Sequence, residues 1–393
     1  MKKMNKKLLY TYCILMMLFV ISLCNTTQGI ILSDYIVYYA LESSKQGLVS
    51  AFQSTGNIIG LIIIILLSGK YKKSTMLAIS AALIPVIFFI IGNKPALFIL
   101  LLSYAFFGIV FALWDSLGSS LMADIHTINS SRYMNLLHGF FALGGIIGPL
   151  IFQSLGTEGF SWDQMLRLAG IISLVAVFLF TLGLVSAKKL IIENKDNSSD
   201  ILITDIKTFF REKRNRIILI SAFLYGAHQI GITVWMTRYI SEYLGTPQWG
   251  PAALSLFWVG IAISRLVASR LSLEPAKWIF FGHLISGIVI AIGVLSENGF
   301  IMFICCGLSG LAEGAILPMT LDMACNWRKG KSSLGSSMIL FVHYVGFIVT
   351  PPLIGALIFT YGIKVGMIMP AILSIVATLF TYFLTRKGRE RNV

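Results

Sequence analysis

Twelve stretches of this chain are apolar for about the length that crosses a lipid hydrocarbon layer, and no other feature restricts its fold as strongly. They run 8–38, 46–69, 74–93, 96–124, 131–155, 163–186, 216–244, 250–273, 276–296, 298–322, 333–360 and 363–385. A backbone in hydrocarbon finds no water for its N–H and C=O groups, so each stretch of roughly 20 residues is expected to be a helix. The composition leaves no soluble alternative: 56% of residues are hydrophobic and 12% charged, where soluble domains carry about 25% charge. The expected architecture is an all-α polytopic membrane protein with twelve transmembrane helices in two pseudo-symmetric six-helix bundles. Those bundles are residues 1–187 and 216–393, joined by a polar cytoplasmic linker over 188–215.

The formal net charge of +14 reports topology rather than a nucleic-acid partner. With the amino terminus inside, the bases at Lys2, Lys3, Lys6, Lys7, Lys70, Lys72, Lys73, Arg132, the linker, Arg270, Lys277, Arg328, Lys329, Lys331, Arg386, Lys387, Arg389 and Arg391 share one side. The opposite loops hold Lys45, Lys94 and Lys364. Basic loops stay cytoplasmic, so both termini are expected there, in a cell (inner) membrane, with the lipid bilayer as partner and no nucleic acid. The basic start ahead of LLYTYCILMMLFVISLC resembles a signal peptide, but no convincing cleavage site follows, and it reads as an uncleaved first span. Cys13, Cys24, Cys305, Cys306 and Cys325 fall in spans without ligand or redox spacing and read as packing residues. No cofactor and no metal are expected.

The two halves echo each other. Asp115 is followed nine residues on by Asp124, and Glu313 nine residues on by Asp322. A basic turn comes next in each half (Arg132; Arg328, Lys329 and Lys331), then a span with Gly144 and Pro149 spaced as Gly346 and Pro351 are. The shared order argues for a duplicated unit. Asp115 and Glu313 lie deep in apolar spans, where a carboxylate is costly enough to need a partner or a function.

Span four places Tyr104, Gly108, Phe111, Asp115, Ser119 and Met122 on one helix face. An acid, a hydroxyl and aromatic rings there suit a polar solute that hydrogen-bonds and stacks; the alternative is an acid held structurally by a neighbouring helix. Span one carries the stripe Cys24, Thr27, Gln28, Ile31, Asp34, Tyr35 and Tyr38, expected to face inward, with Asp34 serving either a solvated vestibule or binding. Span two adds Gln53 and Asn57 beside Gly56 and Gly60, small residues that allow close helix approach. Span five aligns Asn135, His138, Ala142 and Gly145, and span seven Tyr225, His228, Ile232 and Trp235. His228 either couples protons, since imidazole titrates near neutrality, or is a neutral hydrogen-bonded group; Trp235 either stacks on a sugar face or packs between helices. Arg238 and Glu242 suit an outer-end ion pair. Arg265, in span eight, lies within snorkelling reach of the cytoplasmic interface, as a gate or structural residue or as a substrate contact. His343 leads the polar face of span eleven. Glu313 is the leading proton-carrying candidate, because apolar surroundings favour the uncharged form of a carboxyl group. Asp124 and Asp322, at span ends, read as gate or surface residues. The segment ILITDIKTFFREKR is amphipathic, with Ile203, Ile206, Phe209 and Phe210 assigned to lipid if it lies on the inner leaflet, or else a solvated linker.

The turn Ser68, Gly69, Lys70, Tyr71, Lys72, Lys73 resembles the glycine and basic-cluster signature of the major facilitator superfamily. Lys73 stands where that signature has an acid, so the inner-gate salt bridge the motif normally makes is not expected from this turn. WDSLGSS in span four, together with NLLHGFFALGGIIGPL in span five, is similar to the fucose, galactose and glucose permease group of the superfamily. This resemblance implies the major facilitator fold, alternating access by two bundles rocking about a central site, and substrate contact at Asp115, Asn135 and His138. The permease group also has an acid within span one for proton coupling; Gln28 or Gly29 stands there instead, so coupling through span one is not expected. Gly144, Gly148 and Pro149 match half of a pattern associated with antiporters of the superfamily, or else serve helix packing with a kink at Pro149.

The expected function is a secondary active transporter, a monomer, that takes up a small polar solute, a sugar or similar hydroxylated metabolite, together with a proton. Proton-driven export of drugs or amphipathic metabolites is the alternative. A membrane-embedded enzyme is disfavoured by the lack of HExxH, GxSxG, clustered Asp or His on a cytoplasmic face and large loops in the sequence, and direct ATP coupling by the lack of a Walker A motif; a transporter-derived sensor is a third reading.

Overall fold

The computed structural model describes residues 2–41, 48–193, 201–271 and 274–386. Lys45, Lys387, Arg389, Arg391 and part of the linker, all used above, lie outside the described residues. Helices dominate the described residues, and twelve of them, those of the expected spans, are long and apolar enough to cross a membrane. The first stretch is not one helix as expected: α1 (Lys2–Asn25) and α2 (Thr27–Tyr38) part at Thr26. There the hydroxyls of Thr26 and Thr27 turn back onto the carbonyls of Leu23 (2.9 Å) and Cys24 (2.6 Å), the local bonding by which threonine competes with the helix ladder. Then follow α3 (Leu48–Leu67), α4 (Lys73–Gly92), α5 (Leu97–Ile125), α6 (Ser130–Thr157) and α7 (Trp162–Glu193). The remaining elements are α8 (Ile203–Arg211), α9 (Lys213–Arg238), which runs into a π-helical turn, α10 (Gly250–Ala268), α11 (Pro275–Leu295), α12 (Gly299–Glu313), α13 (Ile316–Cys325), α14 (Ser332–Tyr361) and α15 (Ile363–Arg386).

The chain forms two compact units. Unit 1 takes residues 1–127, 140–201 and 328–337, and unit 2 takes 128–139, 202–327 and 338–393. In unit 1, α3 packs on α5, α4 on α5 and α7, and α1 on α7; in unit 2, α10 packs on α12, α11 on α12 and α15, and α9 on α15. The sequence echo has a physical counterpart in this packing. A Cβ on Gly60 of α3 would stand 2.7 Å from the Ile109 carbonyl of α5, and one on Gly260 of α10 would stand 2.5 Å from the Gly307 carbonyl of α12. Small residues bring the second and fourth spans of each half into backbone contact.

Span ten departs from the echo. Its counterpart α5 is continuous, whereas span ten is interrupted at Gly314 and Ala315, between α12 and α13. Pro318 leaves one carbonyl at the break without its helical donor, since proline has no N–H to give to the carbonyl four residues back, which is that of Gly314. In α8, Phe209 is turned inward against Trp327 (ring centroids 4.9 Å), correcting its assignment to lipid, while Ile203 and Phe210 are exposed.

Candidate functional site

The polar centre of unit 2 is built on the end of α12. Glu313, the last helical residue before the break, and His228, in the middle of α9, are both fully buried, and His228 Nε2 lies 2.7 Å from Glu313 Oε2. Ser286 of α11 bridges them, with its Oγ 2.8 Å from His228 Nε2, 3.1 Å from Glu313 Oε2 and 2.7 Å from Ser309 Oγ, one turn before Glu313 on α12. The other ring nitrogen, His228 Nδ1, lies 2.7 Å from the Pro370 carbonyl of α15. A carbonyl only accepts, so Nδ1 carries a proton and the tautomer is fixed.

One further proton must then occupy the short contact between Nε2 and Oε2. It resides on the imidazole, as an imidazolium–carboxylate pair, or on the acid, as a carboxylic acid donating to neutral imidazole. The pair is uncharged overall in either case, and losing that proton leaves a bare carboxylate in a fully buried place, which is expensive. Glu313 Oε1 has no hydrogen-bond partner. The sequence singled out Glu313 and His228 separately; the structure joins them. Ser286, Ser309 and the Pro370 carbonyl were not foreseen, although Ser309 and Glu313 four residues apart on one helix face were a readable signal.

Arg265 lies beside this centre and does not snorkel. It is 4% exposed, and its stem turns inward so that Nε donates to the Gly314 carbonyl at 2.9 Å and Nη1 to the His138 carbonyl at 3.1 Å. The first of these bonds replaces the one Pro318 removes, since a freed carbonyl in an apolar span must find a donor. Tyr225 and His343 stack at 5.5 Å, because α9 and α14 cross at Gly226, where a Cβ would stand 2.5 Å from the His343 carbonyl and 2.8 Å from its Nδ1. Gly226→Ala is expected to lower stability by about 1–3 kcal/mol through overpacking, measured by thermal unfolding of the purified protein. His343 Nδ1 and Asn135 Oδ1 are buried without hydrogen-bond partners, as is Trp235 Nε1. Asn135 donates to the Ser131 carbonyl at 2.9 Å.

Unit 1 holds the other candidates. Asp115, Phe111 and Ser119 are all buried on α5, and Phe111 meets Phe141 edge-on at 5.8 Å. Gln53 donates to Asn25 at 2.6 Å and Gln28 to Ser50 at 3.0 Å, whereas Asn57 Oδ1 is buried without a partner. Asp34 is exposed and Tyr35 buried, its hydroxyl 2.9 Å from that of Tyr104, so the stripe of span one divides between two environments. Lys73 lacks the acid of the family signature within its own turn, yet it forms an ion pair with Asp124, and Ser332 joins both. Gly69, in the same turn, takes φ +87°, the left-handed region that glycine enters without strain. Gly144 and Gly148 pack against α1, where a Cβ on Gly148 would stand 2.6 Å from the Leu23 carbonyl, and Pro149 lies within an uninterrupted α6. Asp322 accepts from Ser130 and Asn326, and Arg238 pairs with Glu242 at 2.8 Å. Asp115 and Glu313, the acids of the sequence echo, belong to different units, and of the two only Glu313 sits at a helix break.

Comparison with known proteins places the sequence in one superfamily. A family model described as Major Facilitator Superfamily matches residues 14–296 and 253–393. The chain is 23% identical over 368 residues to a protein named TsgA homolog from Buchnera aphidicola subsp. Baizongia pistaciae (strain Bp), an alignment covering 92% of this chain and 91% of that protein. Among solved structures, the E. coli fucose:proton symporter FucP superposes with a TM-score of 0.77 at 16% identity, over 95% of this chain and 98% of that one. The human organic anion transporter MFSD10 (TETRAN) superposes with a TM-score of 0.78 at 11% identity, over 95% and 99%. At these identities the structural likeness speaks to the fold.

Proposed function

The chain belongs to the major facilitator superfamily, a family of transporters, and from that premise we propose that it is a secondary active transporter that takes up a small polar solute together with a proton. The observation that carries the reading is the buried Glu313–His228 contact of 2.7 Å, whose single shared proton is what a symporter must bind and release. The hydroxylated, sugar-like class of solute is supported by the likeness to the fucose:proton symporter and by the buried mixture of aromatic and polar side chains. Asp115, Phe111 and Ser119 are the solute-contact candidates of unit 1; Asn135, His138, Tyr225, Trp235 and His343 are those of unit 2. The cell membrane, with both termini cytoplasmic, is the location that the basic loops support.

Reconstituted protein tests this. Vesicles one pH unit more alkaline inside should accumulate the transported member of a labelled panel of sugars and hydroxylated metabolites about 10-fold for one proton per solute. A protonophore should return them to simple equilibration. Accumulation driven only by the opposite gradient would make the protein an exporter, and binding without flux would make it a sensor.

A further inference from the structure

Unit 2 buries two groups of opposite charge that do not neutralise each other directly. Arg265 is 4% exposed, and both of its hydrogen bonds go to neutral carbonyls, those of Gly314 and His138. No carboxylate among the described residues forms an ion pair with it: Glu313 is engaged by His228, and Asp322 by Ser130 and Asn326. A guanidinium has five N–H donors in a planar fork suited to a carboxylate, and two of them are accounted for. Among the described residues, Tyr225, His138 and His343 interact with its charge. Tyr225 interacts with Glu313 as well, and its hydroxyl lies beside both the Arg265 guanidinium and the Gln229 side chain. His343 Nδ1 and Asn135 Oδ1, polar atoms of the same unit, are buried without partners. A buried cation with only uncharged partners among the described residues has the chemistry of an anion-recognition site.

We propose that Arg265 receives a carboxylate of the transported solute, so that the substrate is a hydroxylated monocarboxylate, a sugar acid rather than a neutral sugar, carried with one proton without net movement of charge. This rests on the transport reading and narrows it. Charge balance supplies the physical reason. With proton and solute both bound, the Glu313–His228 pair is neutral and the solute carboxylate neutralises Arg265. With both absent, the Glu313 carboxylate and the Arg265 guanidinium cancel within unit 2. Each half-loaded state buries one uncompensated charge, positive with the proton alone and negative with the solute alone. A protein element crossing a low-dielectric layer pays heavily for such a charge, so only the fully loaded and fully empty states change conformation readily, which is the condition for obligatory coupling. The balance also selects a monoanion, because a phosphate monoester carries about −1.5 to −2 near neutral pH and exceeds what one arginine and one proton compensate.

The test uses matched solutes on the full-length purified protein: glucuronate against glucose, galacturonate against galactose, with glucose 6-phosphate as a third arm and gluconate extending the carboxylate panel. Binding is read by tryptophan fluorescence, and uptake in proteoliposomes. Carboxylates are expected to bind the wild-type protein at least 10-fold more tightly than their neutral partners. Arg265→Gln should erase the difference, with Arg265→Lys retaining part of it. Uptake should follow an imposed pH gradient and be unchanged by a potassium diffusion potential set with valinomycin. The matched comparison on the wild type stands even if loss of the Gly314 bond prevents Arg265→Gln from folding. Equal or tighter binding of the neutral sugars, preference for the phosphate, binding of no carboxylate in the panel, or uptake that follows the potential overturns the inference. If a neutral sugar is taken up in that case, the transport reading survives. Arg265-dependent carboxylate binding without any flux would instead keep the anion-recognition role of Arg265 and overturn its coupled transport together with the transport reading.

Discussion

In Glu313→Gln, accumulation driven by a pH gradient is expected to vanish while solute binding and solute exchange persist. Glutamine copies the neutral acid: its amide nitrogen can donate to His228 Nε2 where the acid proton did, with Nδ1 still held by the Pro370 carbonyl at 2.7 Å. The variant is thus locked in the form that already carries the proton. Counterflow, in which loaded carriers cycle in both directions without releasing a proton, should continue near the wild-type rate. Accumulation above the outside concentration should fall from about 10-fold per pH unit to none, a loss of about 1.4 kcal/mol of driving force. Measuring counterflow and gradient-driven uptake in the same vesicles separates this outcome from simple misfolding, which would abolish both. Wild-type gradient dependence in the variant would reject Glu313 as the proton carrier.

Lys73→Met is expected to destabilise the protein by about 2–4 kcal/mol, since removing one member of a buried ion pair strands the other. The Lys73 side chain is 2% exposed and that of Asp124 is 27% exposed, so water reaches only one partner and relieves part of the cost. Ser332 adds to the coupling by accepting from Lys73 at 2.7 Å and donating to Asp124 at 2.9 Å. Lys73→Met combined with Asp124→Leu should recover most of the loss, because two apolar groups leave no stranded charge. Thermal or denaturant unfolding of both single variants and the double variant measures this as a cycle. Additive losses would show that the pair contributes no coupling of its own.

The ion pair also shows how a motif can mislead when it is read along the chain. Lys73 occupies the acid's place in the family signature, and its partner comes from the end of α5 instead, a choice that depends on how α4 and α5 pack. Arg265 misleads in the same way. Its position near the end of span eight fits snorkelling, yet Pro318 on another span leaves a carbonyl without a donor, and the guanidinium turns inward to supply one. Phe209 belongs to an amphipathic segment whose apolar face suits lipid, until Trp327 offers it a protein surface.

By itself the sequence determined the twelve spans, the echo between halves, and the depth of Asp115 and Glu313 in apolar surroundings, because hydropathy and charge placement are sums over neighbouring residues and need no knowledge of packing. It also singled out Glu313 and His228 as separate proton-coupling candidates. Only the tertiary structure decided that these two share one contact with Ser286, that span ten breaks where span four does not, and that Arg265 faces inward without a carboxylate. Those outcomes follow from where helices cross and which face each presents at the crossing, and the close approaches at Gly226 and Gly260 set that geometry in three dimensions.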